Sequence, residues 1–211
     1  MDESNGGLNM PDLQDNKKAN SNDNMSSVKC NKHWRRFMDL FIIFFVFSLF
    51  GHYIEVIWAI IKRLAFGSTW YPKINDMLPL AAPYGLGAIA LILLVWPIFD
   101  KYKKRPFTVL AICSIITGLV EFLCAALLVL LYGKNYYWDY SKMPLNLFGF
   151  IHLSGCLAFG AISLIFLYFI YPNWKKIYDR LSDKTVSLVF WLLFILYVIN
   201  MFLVCTREFW K

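Results

Sequence analysis

The stretch "FMDLFIIFFVFSLFGHYIEVIWAII", Phe37 to Ile61, decides the fold class of this chain. Apart from Asp39 and Glu55 it contains mainly apolar and aromatic residues. A helix needs about 20 such residues to cross a hydrocarbon layer about 30 Å thick, because each residue adds about 1.5 Å. Backbone groups in lipid must be hydrogen-bonded within their own segment, so this stretch is predicted to be a membrane-spanning helix.

Four further segments have the same character. They cover approximately residues 78–99, 107–132, 147–171 and 186–205. Over the whole chain 59% of the residues are hydrophobic and 17% are charged, whereas soluble domains contain about 25% charged residues. The sequence therefore predicts an all-α, polytopic helical membrane protein with five transmembrane helices, the first at about residues 37–61, within residues 29–211.

Residues 1–28, "MDESNGGLNMPDLQDNKKANSNDNMSSV", differ from the rest of the chain. They are rich in Asn, Asp, Ser and Gly and show no apolar periodicity. Such a segment cannot offset the entropy of ordering, so we expect a disordered polar tail. It lacks the basic start and apolar core of a signal peptide, and the first span is therefore expected to direct insertion.

Orientation follows from the basic residues, since Lys and Arg are retained on the cytoplasmic side. Fourteen of the 21 lie before the first span, between the second and third, or between the fourth and fifth. This alternation predicts a multi-pass protein of the cell membrane with its N-terminus inside and its C-terminus outside. The basic residues do not form one stripe with aromatic side chains, so the lipid bilayer and not a nucleic acid is the predicted partner.

Two carboxylates lie deep in predicted spans, Glu55 in "SLFGHYIEVIWA" and Glu121 in "SIITGLVEFLCAA". A charged group in lipid costs at least about 2.5 kcal/mol, so such groups usually face the bundle interior and mark functional sites. Helical spacing places each acid in a stripe of small or polar residues, and the fourth span carries a third stripe. The stripes are Ser48, His52, Glu55 and Ala59; Ser114, Thr117, Gly118, Glu121 and Ala125; and Gly149, His152, Cys156, Gly160 and Ser163.

The stretch "YYWDYSKMPLNL", residues 136–147, interrupts the apolar runs. Tyr137, Trp138 and Tyr140 fit the aromatic belt of a membrane interface. Asp139 and Asn146 can bind backbone groups of a tight turn, which is the plain structural interpretation. Under the functional interpretation this segment closes an outward-facing polar pocket. The predicted pocket residues are Glu55, Glu121, His52, His152, Tyr84, Trp138, Asp139, Tyr140 and Asn146.

Few other chemistries have support. Imidazole and carboxylate suit several divalent ions, so His52, Glu55, His152 and Glu121 could form a metal site, but no dense ligand motif such as HExxH is present. There is no GxxxxGK[ST] loop and no GxSxG elbow, so an enzyme is not favoured, and no cofactor is predicted. The five cysteines include no CxxC pair.

The segment "PNWKKIYDRLSDKT", residues 172–185, places Trp174, Ile177 and Leu181 at helical spacing. This pattern is typical of an amphipathic helix that lies in the membrane interface. A separate ATPase subunit could equally dock on it.

Four motifs resemble, in order, those of the CmpB-like family, whose members are labelled ABC-transporter permeases by prediction. They are "FGHYIEVIWAIIKR", "LPLAAPYGLGA", "GLVEF" and "YYWDYSKMPLNLFGFIHLSGCLAFGAI". The matching positions are Gly51, Glu55, Pro83, Tyr84, Gly85, Gly87, Glu121, Trp138, Asp139, Tyr140, Ser141, Pro144, Asn146 and Gly149. The chain departs from the family pattern in "INDMLPLAAP", at Phe150 and at His52.

The resemblance implies a permease-like component that works with a separate ATPase or another membrane protein. We expect Glu55 and Glu121 to form its polar centre, and the substrate is an unidentified small molecule. Two other classes remain open. A membrane-embedded enzyme would need a reactive constellation, and in a non-transporting structural or regulatory subunit the acids would be replaceable.

Overall fold

A computed structural model describes residues 31–67, 79–135 and 138–209 of the chain. The tail predicted to be disordered, residues 1–28, and the predicted belt residue Tyr137 lie outside the described residues. The first residue of the predicted second span, Leu78, lies outside them as well. All statements below concern the described part of the chain.

Five helical segments are long and apolar enough to cross a membrane, which confirms the all-α fold with five spans. They are the first span, Lys32–Ala65, the second, Ala82–Tyr102, the third, Pro106–Tyr132, the fourth, Leu153–Tyr178, and the fifth, Asp183–Val204. The helix of the first span runs Lys32–Phe66 and that of the fifth runs Asp183–Phe209. A short antiparallel hairpin, with strands Asn146–Leu147 and Ile151–His152, precedes the fourth span.

The fourth span differs most from the sequence prediction. It begins at Leu153, and not at Leu147, because residues 146–152 form the hairpin. It also continues past Pro172 to Tyr178. Proline removes a backbone donor and crowds the carbonyl four residues earlier, and a π-helical turn at Phe166–Ile170 stands immediately before this site.

The second span, like the fourth, contains a π-helical turn shortly before a proline. Its α-helical part Ala82–Ala90 is followed by a π-helical turn at Leu91–Val95 and then by the helix Trp96–Tyr102, whose second residue is Pro97. In both spans the wider turn lets the helix pass a proline without ending.

Glycines set the close contacts between neighbouring spans. A Cβ atom on Gly51 would overlap the ring of Tyr84, and one on Gly118 would lie 2.8 Å from the Sγ atom of Cys156. Gly51 and Tyr84 join the first span to the second, and Gly118 and Cys156 join the third to the fourth. Small residues allow this approach, which supplies the van der Waals packing that holds helices together in lipid.

The fifth span packs beside the first and runs in the same direction. The ring of Phe190 lies 5.5 Å from Trp34, and the ring of Tyr197 lies 6.0 Å from Phe44. Phe190 is also buried in an apolar cluster with Met38 of the first span. The fifth span therefore covers one side of the first.

We name the two ends of the bundle after their residues. The Arg35 end holds the start of the first span, where the Arg35 guanidinium is paired with Asp183 and donates to the carbonyls of Tyr178 at 3.1 Å and Leu181 at 2.8 Å. The hairpin end holds residues 138–152. Because charge-assisted bonds join the first span to the segment after the fourth, the Arg35 end is held together by more than apolar packing.

The predicted interfacial helix around residue 174 is instead a continuation of the fourth span. Trp174 donates from Nε1 to Asp39 Oδ1 at 2.8 Å. Trp174 and Leu181 pack against the apolar cluster of Met38 and Phe190. Ile177 alone of the three predicted apolar residues points outward, with 59% of its surface exposed.

Candidate functional site

Glu121 lies on the buried face of the third span. Ser114, Thr117, Gly118 and Ala125 are buried on the same face, as the helical spacing predicts. The Glu121 residue is 6% exposed, and its Oε1 atom accepts a hydrogen bond from the Tyr140 hydroxyl at 3.1 Å. Its Oε2 atom is buried and has no hydrogen-bond partner among the residues that the structure describes. Only one of the two carboxyl oxygens of Glu121 therefore has a hydrogen-bond donor within this part of the chain.

Glu55 lies on the buried face of the first span, together with Ser48, His52 and Ala59. The Tyr84 hydroxyl, from the start of the second span, donates to its carboxylate. The carboxylates of Glu55 and Glu121 lie close enough for their charges to interact. The structure thus brings both predicted acids together, each with one tyrosine hydroxyl.

Tyr140 connects the hairpin end to this pair of acids. Its ring centroid lies 4.4 Å from that of His152, and its backbone N–H donates to the Gly149 carbonyl at 2.9 Å. Burial raises the pKa of the Tyr140 hydroxyl, and the neighbouring Glu121 charge raises it further. Tyr140 is therefore a neutral hydrogen-bond donor at ordinary pH.

Asp139 and Asn146 have structural partners in the turn. The Asp139 carboxylate accepts hydrogen bonds from the Ser141 hydroxyl and, at 2.9 Å, from its backbone N–H. These bonds lower the pKa of Asp139, and Lys142 lowers it further. The Asn146 amide donates to the Met143 carbonyl at 2.8 Å, and its oxygen accepts from the Gly149 N–H at 3.0 Å. Both side chains thus hold the turn in shape.

The hairpin uses unusual backbone conformations. Leu145, Phe148 and Gly149 have φ values of 53°, 55° and 73°. Positive φ is unfavourable for residues with a Cβ atom, and it persists where surrounding contacts enforce it. At Gly149 a Cβ atom would also lie 3.0 Å from Ser141 Oγ and 3.2 Å from Asp139 Oδ1, so glycine suits this position sterically.

Trp138 lies beside a cavity at the hairpin end. Its Nε1 donates to the Phe150 carbonyl at 2.9 Å. The cavity, of about 290 Å³, is lined by Val129, Lys134, Asn135, Trp138, Asp139, Phe148, Gly149 and Phe150. Two predicted pocket residues, Trp138 and Asp139, line it, whereas Glu55 and Glu121 do not. The cavity therefore lies beside the hairpin and not over the paired acids.

The two predicted histidines have different partners in the structure. His152 caps the fourth span, because its Nδ1 atom accepts from the Gly155 N–H at 3.3 Å. Burial lowers the pKa of His152, and the charge of Lys62 lowers it further. His52 is buried on the first span, with its ring 5.9 Å from that of Tyr53. Within residues 31–67, 79–135 and 138–209, no three His, Cys, Asp or Glu side chains are grouped to hold a metal ion.

Three residues near the acids were not singled out for this role from the sequence. The thiols of Cys124 and Cys156 lie close enough to Glu121 to interact with its charge. Cys124 follows Glu121 by three residues, a helical spacing that would have placed it on the same side of the third span. The Phe159 ring lies 5.3 Å from the Tyr84 ring. That contact joins two distant spans, and no spacing in the sequence indicates it.

Comparison with known proteins gives one family. The sequence profile of the family described as "Putative ABC-transporter type IV" (ABC_trans_CmpB) matches residues 42–205. The chain belongs to this family. The match extends from the first span to the end of the fifth and includes the hairpin. With five spans and this family membership, the chain is a multi-pass membrane protein of a transport-related class. No curated protein and no solved structure matches it.

Proposed function

We propose that this chain is the membrane-embedded component of a transporter, and that Glu55 and Glu121 form the polar centre of its substrate path. The observation that supports the proposal is that two carboxylates from different spans interact through their charges and that each has a tyrosine hydroxyl as partner, Tyr84 for Glu55 and Tyr140 for Glu121. Intramembrane acids are costly, and they persist where an ion or substrate interacts with them. If the acids only packed the helices together, apolar side chains could do so without the free-energy cost of burying carboxyl groups.

The alternation of basic residues orients this centre. With the N-terminus inside, the hairpin end faces outward and the Arg35 end faces the cytoplasm. The acids then lie below the hairpin, and the cavity beside Trp138 opens at the outer surface. In this arrangement the segment from Trp138 to Asn146 is the outer cover of the path, and Tyr140 is the residue that joins the cover to the polar centre.

Energy for transport would come from a partner, because the chain has no phosphate-binding GxxxxGK[ST] loop. A separate ATPase subunit would contact the Arg35 end, which holds the short connection Lys103–Arg105 between the second and third spans. Affinity purification of the tagged chain from native membranes tests this step. Recovery of a stoichiometric nucleotide-binding protein is the expected result, and recovery of the chain alone would refute the ATPase partnership.

A cell-based comparison tests the transport role. Cells that lack the gene are complemented with wild type, Glu121→Gln, Glu55→Gln or Asp100→Asn, and metabolites in cells and medium are profiled by mass spectrometry. Asp100 is the control, because it is an acid at the exposed Arg35 end. We expect at least one compound whose distribution is restored by wild type and Asp100→Asn and not by either glutamine variant. Full restoration by both glutamine variants, at equal membrane abundance, would exclude a transport role for the acids.

A further inference from the structure

The first and second spans have the same construction as the third and fourth. Adding 66 to a residue number in the first span gives an equivalent position in the third: Ser48 and Ser114, Glu55 and Glu121, and Ala59 and Ala125 are identical pairs. The serines and alanines of these pairs are all buried. The same offset relates Ile43 to Val109, each 1% exposed. These pairs indicate an internal repeat, a feature found in many transporter folds.

An offset of 75 relates the second span to the fourth. This offset aligns Gly85 with Gly160, and it aligns the π-helical turn Leu91–Val95 with the π-helical turn Phe166–Ile170. It also places Trp96-Pro97 on Tyr171-Pro172. The two offsets differ by nine residues because the hairpin lengthens the connection between the third and fourth spans.

The contacts within each pair of spans repeat as well. A Cβ atom on Gly85 would overlap the Ser48 hydroxyl and the Phe44 carbonyl. A Cβ atom on Gly160 would overlap the Ser114 hydroxyl and would lie 3.1 Å from the Leu110 carbonyl. Phe44 and Leu110 are equivalent positions, so the same glycine meets the same two groups in both halves. The repeat is therefore present in three dimensions and not only in the sequence.

Equivalent residues of the two halves touch each other. The rings of Trp96 and Tyr171 have centroids 4.7 Å apart, and those of Tyr84 and Phe159 have centroids 5.3 Å apart. In a two-fold arrangement a residue meets its own equivalent only beside the axis. Glu55 and Glu121 are a third pair of equivalent residues, and their charges interact. The two acids thus lie across a pseudo-two-fold axis that runs along the bundle.

The hydroxyl partner of each acid is not repeated, but the difference is compensated. Tyr84 donates to Glu55, but its equivalent in the other half is Phe159, which has no hydroxyl. Tyr140 of the hairpin supplies the missing donor to Glu121 at 3.1 Å. Each acid therefore keeps one hydroxyl partner by a different route. The Oε2 atom of Glu121, which is buried and has no hydrogen-bond partner in the described part of the chain, lies within this group.

We propose that Glu55 and Glu121 together form a single proton-binding site on the axis between the two repeats, with Glu121 Oε2 as the atom open to the proton. Two carboxylates whose charges interact in a low-dielectric site disfavour being ionised together unless a cation is added. Among the described residues, the groups that face the pair are the hydroxyls of Tyr84 and Tyr140 and the thiols of Cys124 and Cys156. His52 lies on the buried face that carries Glu55, and the His152 ring packs against Tyr140. Burial and the Lys62 charge lower the pKa of His152, which favours its neutral form, so a proton on one carboxyl neutralises the pair most simply. One carboxyl then holds the proton and the other remains ionised.

Nuclear magnetic resonance of the full chain in lipid nanodiscs tests this site, because the chain has only four glutamates. The glutamate side-chain carboxyl carbons are labelled with ¹³C, and their chemical shifts are followed against pH. In the wild type we expect the Glu55 and Glu121 signals each to report the same two protonation steps, as coupled groups do. Glu55→Gln should leave one step at Glu121 and lower the proton affinity of Glu121 at least about tenfold, the size of coupling that merges two titrations.

Two further variants keep the experiment decisive. Asp39→Asn removes a different carboxyl from the first span, near the Arg35 end, and should leave both signals unchanged. Glu55→Asp retains the charge and should retain the two-step titration if the fold is intact. A Glu121 proton affinity that stays within about twofold in Glu55→Gln, or two carboxylates that both stay ionised at neutral pH, would overturn the shared site. The cellular transport assay is independent of this result, so the two proposals fail separately.

Discussion

The two repeats reach the same polar centre by different means. In the first, the acid and its hydroxyl partner lie on consecutive spans, Glu55 on the first and Tyr84 on the second. In the second, the hydroxyl comes from the hairpin, because residue 159 is phenylalanine and Tyr140 takes its place. The helical framework is therefore repeated, whereas the cover described here, residues 138–152, belongs to the second half. The framework holds the acids, and the hairpin links Glu121 to one end of the bundle.

The largest expected effect comes from filling the glycine contacts that the repeats share. Gly85→Ala and Gly160→Ala each force a methyl group into a serine hydroxyl and close to a backbone carbonyl. We expect each to reduce stability by about 1–3 kcal/mol, as overpacking does, and by similar amounts in the two halves. Thermal unfolding in detergent measures the change.

Gly87→Ala is the matched control for these variants. Its added methyl group would meet only Thr117 Cγ2, at 3.9 Å, which is an ordinary contact. Its unfolding temperature should stay close to that of wild type. If Gly85→Ala lowers the unfolding temperature and Gly160→Ala leaves it unchanged, the repeated contact does not contribute equally to stability in the two halves.

Removing the tyrosine hydroxyls gives the next largest effect. Tyr84→Phe and Tyr140→Phe each leave a buried carboxyl group without its donor, which costs about 1–3 kcal/mol. Stability measured by chemical or thermal unfolding should fall in both variants. The Tyr140→Phe variant should lose more at the hairpin end, seen as faster amide hydrogen exchange of the turn, because the Tyr140 hydroxyl joins the hairpin to Glu121 of the third span.

Phe159→Tyr sharpens the comparison between the repeats. It places a hydroxyl at the position equivalent to Tyr84, so it should restore part of the stability that Tyr140→Phe loses. The expected gain, measured as the double variant against Tyr140→Phe alone, is about 0.5–1.5 kcal/mol, the net value of one hydrogen bond. A Phe159→Tyr change that only destabilises, in both backgrounds, would show that residue 159 does not face Glu121 as Tyr84 faces Glu55.

The smallest expected effect concerns the aromatic pair on the axis. A double-mutant cycle with Trp96→Leu and Tyr171→Leu measures the coupling between the two equivalent residues. Edge-to-face rings contribute about 0.5–1.5 kcal/mol beyond their buried area. A coupling free energy in that range is expected from the 4.7 Å centroid distance. If the stability losses of the two single variants simply add, the Trp96 and Tyr171 rings do not stabilise each other.

Much of the framework could be predicted from the sequence, because the length of an apolar run and its 3.6-residue period report directly on a helix in lipid. The buried faces around Glu55 and Glu121 follow from that period. The end of the fourth span does not, because Pro172 predicts a helix end and the π-helical turn at Phe166–Ile170 allows the helix to continue. The sequence does show the repeat, but only as a few identical residues divided between two offsets, which is a sparse signal.

The hairpin was the hardest part to predict. Leu145 and Phe148 adopt positive φ, which their side chains do not favour, so no local preference indicates the turn. The pairing of Tyr140 with Glu121 depends on a contact between the hairpin and the third span. The choice between a structural and a functional interpretation of Asp139 and Asn146 likewise depends on their contacts within the turn. Their hydrogen bonds favour the structural interpretation.

The central claim is that the two acids meet on the axis between the repeats. Magic-angle-spinning magnetic resonance of the chain in lipid, with ¹³C at the glutamate carboxyl carbons and the tyrosine ring, tests it directly. The account predicts a cross-peak between the carboxyl carbons of Glu55 and Glu121, next to the Tyr140–Glu121 cross-peak expected from their 3.1 Å hydrogen bond. A spectrum with the Tyr140–Glu121 cross-peak and none between the two carboxyl carbons would contradict the shared site.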